Sequence, residues 1–273
     1  MEKMKFKLIA TTFVLLLGML GNGMCEDNLT GATGSNGGEQ DDYLTYSLPF
    51  VKDIDGALDT VGGAVPLVFS AQALFMSHWL DEGSNPSPNG MNIHQKYSAA
   101  IPVFDHFIGY EYFQADFEKA RPHTLERDHT IFAELNFGLL TLVPSWTYVD
   151  NIEDSDSGEI GLAVALDVLL NPEFSINYDY DEEKGYYCEW GISHDFDFGK
   201  FGTFTPSMVM GLNSRKGIDK TCLTHIDWGL EYTLPLSKHL NLAGFLHFTK
   251  GLEKDEGFES IVPWGGFGLN FEL

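Results

Sequence analysis

The chain has 273 residues, 40 of them acidic and 16 basic, for a formal charge of −24, which argues against nucleic acid as a partner. Hydrophobic residues make up 44% and aromatics 14%, excluding a wholly disordered chain. Beyond an N-terminal apolar run there is no uninterrupted apolar stretch of about 18 residues, which excludes a bundle of transmembrane helices and leaves a secreted or membrane-embedded β protein.

Residues 1–25 read as a signal peptide: Lys3, Lys5 and Lys7 precede an apolar core from Leu8 to Leu20, followed by the small residues Gly21, Asn22 and Gly23. The core is too short for a bilayer span. Cleavage after Gly23 or Cys25 removes three lysines and one glutamate and takes the charge from −24 to −26. Residues 26–66 form a flexible N-terminal segment. It opens with EDNLTGATGSNGGEQDD, a linker composition, and continues with a short helix expected around Val51 to Thr60. This segment serves as a linker or, from Tyr43 to Pro66, as a plug of the lumen.

Residues 67–273 follow a period of two. Ile160, Leu162, Val164, Leu166, Val168 and Leu170 alternate with smaller or polar residues. Phe174, Ile176, Tyr178 and Tyr180 alternate with Ser175, Asn177, Asp179 and Asp181, and Ile226, Trp228, Leu230, Tyr232 and Leu234 with Asp227, Gly229, Glu231 and Thr233. Strands are expected near 68–80, 91–102, 106–117, 129–139, 140–150, 159–170, 173–182, 185–196, 201–213, 222–235, 239–251 and 261–273. Long polar connections such as EKARPHTLERD and SRKGIDKT alternate with short ones such as GLL and NPE. The fold class is therefore all-β, a closed antiparallel up-and-down transmembrane β-barrel of about 12 strands. Closure would bring 68–80 beside 261–273.

Alternation alone does not identify the solvent, because a soluble β-sandwich also has one greasy face and one wet face. The apolar parity places aromatics toward strand ends and aliphatics between them, the pattern of interfacial girdles. The opposite parity is rich in Gly, Ser, Thr, Asn and acids, which suits a watered lumen.

The final segment, IVPWGGFGLNFEL, resembles the C-terminal strand of bacterial outer-membrane barrel proteins, although Leu273 stands where Phe or Trp is usual. More broadly, residues 68–273, including LNPEFSINYDYDEEKGYYCEWGISHDFDFG, resemble twelve-stranded porin-like proteins of Gram-negative bacteria. The resemblance implies a location in the bacterial outer membrane, lipid, lipopolysaccharide and the barrel-assembly machinery as partners, and passive passage of small solutes.

The polar parity carries Glu111, Glu134, Asp167, Asp179, Glu189, Asp195, Asp227 and Glu231, with few basic residues to pair them. Lining a lumen, these carboxylates favour cations over anions, because the field of the wall is poorly screened in a narrow pore. The main reading is a small passive diffusion channel for cationic or neutral solutes. The alternative is a non-conducting structural or surface-interaction barrel whose acids hydrogen-bond within a filled interior. Twelve strands lie between eight, which side chains can fill, and sixteen, which leave a clear channel, so width stays open.

No cofactor, metal or catalytic site is assigned. The acidic outer loops, Asp150 to Glu159 and Glu253 to Glu259, suit divalent cations bridging lipopolysaccharide but lack a regular oxygen-ligand motif. Ser193 and His194 are neighbours on one strand and point to opposite faces, so they do not form a nucleophile and base. His94, His225 and His247 fall on the lumen parity without metal-site spacing. Cys188 and Cys222 lie on strands separated by a third, too far apart for a disulfide, and are expected as free thiols.

Overall fold

A chain that alternates greasy and polar residues can satisfy every backbone group in lipid only by closing its sheet, and the computed structural model of this protein shows that closure. It describes residues 67–81, 84–87, 91–117, 125–151, 156–181, 184–214, 216, 221–252 and 261–273. The expected leader, the N-terminal segment and much of the long connections lie outside the described residues.

Twelve strands form the wall: β1 (Val68–Met76), β2 (Asn92–Val103), β3 (His106–Phe117), β4 (Leu125–Phe137), β5 (Leu140–Asn151), β6 (Ser157–Leu166), β7 (Glu173–Asp179), β8 (Tyr186–Ser193), β9 (Thr203–Ser214), β10 (Thr221–Pro235), β11 (Leu240–Gly251) and β12 (Ile261–Glu272). Phe196–Asp197 prolongs the β8 side of its pairing with β9. Each strand pairs antiparallel with the next, and β1 pairs with β12 from Ser70↔Glu272 to Met76↔Gly266, so the meander closes on itself. A soluble sandwich of two packed sheets is thereby excluded.

Several boundaries differ from the sequence reading; β1, β7 and β8 end at Met76, Asp179 and Ser193, three or four residues short of the expected ends. β4 starts at Leu125 rather than near 129. β6 ends at Leu166 rather than 170, because Leu170 and Asn171 take positive φ values of 74° and 30° and turn the chain into β7. Between β1 and β2, Trp79–Asp81 and Ser84–Ser87 pair as a small hairpin in what reads as a plain loop.

The two faces of the wall differ in kind. Outward lie Leu162, Met208, Leu230, Leu242, Leu246 and Leu269, all exposed. Tyr148, Tyr180 and Tyr186 flank this band toward the long loops, and Phe196 and Tyr232 toward the short turns. The outer rings interlock: Trp146 Nε1 donates to Tyr180 Oη at 2.9 Å, and Tyr178 packs on Tyr186 at 4.6 Å between centroids. Inward lie the buried polar residues, among them Asn92, Glu126, Asp128, Asp179 and Asp227. Grease outside and charge inside reverses the arrangement of a soluble protein and matches a barrel solvated by lipid.

Candidate functional site

The lumen gathers the polar side chains, and one irregularity shapes its long-loop half. The β9–β10 register slips between Met210 and Leu212, so that Thr224 and His225 together face Gly211. A bulge of this kind redirects side chains. Both Thr224 and His225 are buried, at 0% and 1% exposure. Gly211 is required there: a Cβ would lie 2.6 Å from both His225 Cε1 and Tyr187 Oη. Tyr187 in turn donates to Glu189 at 2.9 Å.

Next to the bulge, Asp227 of β10 accepts the Thr249 hydroxyl and stands 2.7 Å from His247 Nδ1. Trp264 Nε1 donates to Thr249 Oγ1 at 2.9 Å, and the His247 ring stacks on the Trp264 ring at 4.7 Å between centroids. His247 reaches across β10 because Gly229 lies beneath its ring, where any Cβ would collide with it. One polar chain thus crosses β10, β11 and β12.

On the opposite wall Ser157 donates to Asp179 at 2.8 Å, and Glu159, register partner of Asp179, accepts the Lys216 ammonium at 2.7 Å. Carboxylates at this depth are tolerated when hydrogen-bonded or paired, and these are.

The middle of the wall and the short-turn half mix half-exposed and buried side chains. Ser70 and Ser98 hydroxyls meet at 2.7 Å, Gln72 donates to Asn270 at 3.0 Å, and Lys96 pairs with Glu111 at 3.1 Å with side chains 31% and 17% exposed. Glu231 stands 3.9 Å from His247 Nε2 with its side chain 31% exposed. One wall here is apolar, a cluster of Ala100, Phe107, Phe132 and Val143.

The carboxylates singled out from sequence are distributed through this space rather than gathered at one point. Glu111, Asp179, Glu189, Asp227 and Glu231 face the lumen with the partners given above. Glu134 is buried and accepts from Asn136 Nδ2 at 2.8 Å. Asp167 lies in the turn after β6, where its N–H donates to the Leu139 carbonyl, and its side chain is exposed. Asp195 is exposed at the short-turn rim and accepts from Thr205 at 2.7 Å. Sequence reasoning passed over Glu126, Asp128 and Glu159, exposed by only 0%, 2% and 5%. It also passed over Lys216, which brings positive charge into the lumen. All four sit at or beside strand ends, and strict continuation of the parity would have found the first three.

Among the described residues no group of three His, Cys, Asp or Glu side chains converges in metal-binding geometry. Ser193 follows the lumen parity, while His194 packs edge-on against Phe196 at 4.8 Å on the other side of the strand. The two cysteines among the described residues form no disulfide; Cys222 is buried and Cys188 half-buried.

The fold defines a class: a closed, twelve-stranded, membrane-spanning antiparallel β-barrel. No family model matches the chain, and no curated protein matches its sequence. Among solved structures it is similar to the KdgM porin, at 10% identity over 76% of this chain and 99% of that chain with a TM-score of 0.48. It is also similar to the NanC porin, at 8% identity over 75% and 100% with a TM-score of 0.49. A third is outer membrane phospholipase A from Escherichia coli, at 12% identity over 74% and 92% with a TM-score of 0.44. At these identities the likeness concerns fold alone, so function is read from this lumen's own side chains.

Proposed function

We propose that the protein is an exported outer-membrane barrel acting as a narrow passive channel that prefers small cations. The observation that carries this reading is the charge of the inner wall. Glu126, Asp128, Glu134, Glu159, Asp179, Glu189 and Asp227 are all buried there, joined by the half-buried Glu111 and Glu231, while the lysines turned inward among the described residues are Lys96 and Lys216, each already held by a glutamate. In a narrow lumen such an excess lowers the energy of a permeating cation and raises that of an anion. The exposed apolar turns, with Phe104, Leu169 and Phe201 at 96%, 64% and 66%, support a short-turn rim seated at the membrane interface rather than projecting into water. Lipopolysaccharide around the outer rim and the barrel-assembly machinery during export complete the proposal.

Reconstitution of the purified chain into a planar bilayer under a KCl gradient tests it. The expected result is discrete conductance with a reversal potential displaced toward the potassium equilibrium value; a chloride-directed reversal potential contradicts it. The burial of the long-loop half favours a second reading, a filled and non-conducting barrel that presents its outer loops. Complete electrical silence of correctly folded protein selects that reading over the first.

A further inference from the structure

Lys216 lies two residues beyond β9 in the connection to β10, where a lysine would ordinarily be solvated, yet only 2% of it is exposed. Asn213 fixes it there. The Lys216 backbone N–H donates to Asn213 Oδ1 at 2.9 Å, and Asn213 Nδ2 donates to the Lys216 carbonyl at 2.8 Å. Together these bonds turn the backbone inward, and the Lys216 Nζ donates to Glu159 Oε1 at 2.7 Å. Glu159 belongs to β6, with β7 and β8 lying between it and β9. The contact therefore spans three interstrand spacings, about 14 Å of wall. Extended lysine and glutamate side chains with the 2.7 Å hydrogen bond between them cover about that distance, so the pair bridges β6 and the end of β9 over the lumen side of β7 and β8. Its ammonium meets Glu159 beside Asp179, the register partner of Glu159, which is itself 1% exposed.

We propose that Lys216 is a tethered cation that holds the acidic position a permeating cation would otherwise take at the long-loop mouth, and so limits conductance and cation preference. This rests on the channel reading above and names the element that regulates it. A fixed ammonium acts in two ways: it occupies Glu159 beside Asp179, and it repels mobile cations from carboxylates that would attract them. An ion pair with only a structural role would affect the yield of folded barrel and leave the folded channel unchanged.

Single-channel recording of the full chain separates these roles, because each reading comes from one folded molecule. In K216Q the potassium conductance should rise by about threefold or more and the reversal potential should move further toward potassium. In the exchanged variant E159K/K216E the pair is restored with reversed polarity, and conductance should return to the unsubstituted level. Identical conductance and reversal potential in K216Q and the unsubstituted protein would overturn the proposal while leaving the channel reading intact, as would an exchanged variant as conductive as K216Q. Silence in all three folded proteins would overturn both.

Discussion

Two lysine–glutamate pairs stand in one lumen under opposite conditions. Lys96 and Glu111 face each other from adjacent strands β2 and β3 at 3.1 Å and keep side-chain exposures of 31% and 17%. Lys216 and Glu159 meet from elements three strands apart at 2.7 Å, with exposures of 1% and 6%. The first pair is an ornament of a wet wall, where solvent replaces either partner at little cost. The second has given up its hydration, so losing either charge is costly to the other. Their difference marks two conditions within one lumen: a half-exposed pair in the middle of the wall, and a buried, hydrogen-bonded pair toward the long loops.

Breaking each pair gives the widest contrast. Glu159→Ala should lower stability by about 3–5 kcal/mol, because it removes the carboxylate that accepts a buried ammonium, whereas Glu111→Ala should cost at most about 1 kcal/mol. Denaturant unfolding of the barrel in lipid vesicles measures both, and equal effects would erase the distinction. A smaller effect is expected from packing. Gly229→Val drives a side chain into the His247 ring and should cost about 1–3 kcal/mol. The lipid-facing Gly244→Ala, whose Cβ would meet nothing nearer than 3.9 Å, should change stability by less than about 0.5 kcal/mol in the same assay. The smallest contrast concerns single hydroxyls. Thr249→Val removes a donor to Asp227 and the acceptor of Trp264 Nε1 and should cost about 1–2 kcal/mol. Thr130→Val, which breaks only the half-buried contact with Thr147, should cost about 0.5 kcal/mol.

The wall was legible in the sequence because lipid and water impose opposite demands on alternate residues, so Leu230 and Asp227 declare their faces directly. The ends were less legible. Glu126 and Asp128 lie in the run EKARPHTLERD, and Lys216 in SRKGIDKT, compositions shared by any solvated loop. Only the closed wall and the Asn213 clasp show that these charges turn inward. Phe107, Phe113 and Phe132 also face the lumen, against the rule that this parity is polar, and β3 carries Ile108, Tyr110 and Tyr112 on its other side. With grease on both faces the period of two loses contrast there. The bulge that brings Thr224 and His225 to the same side breaks the period outright, and no residue type in CLTHID announces it. The Asp227–His247–Thr249–Trp264 chain is likewise assembled from three strands by register, which residue spacing along the sequence does not encode.

Most direct for the division of the lumen is thiol accessibility, since the protein supplies its own reporter for the closed half. Cys222 is 1% exposed at a lumen position beneath the long loops. With Cys25 and Cys188 replaced by alanine, and with or without a second reporter at Glu231→Cys, the reconstituted barrel is exposed to a small cationic thiol reagent. The Glu231→Cys thiol should react rapidly while Cys222 resists; rapid reaction at both positions would show a lumen open throughout and contradict a closed long-loop half.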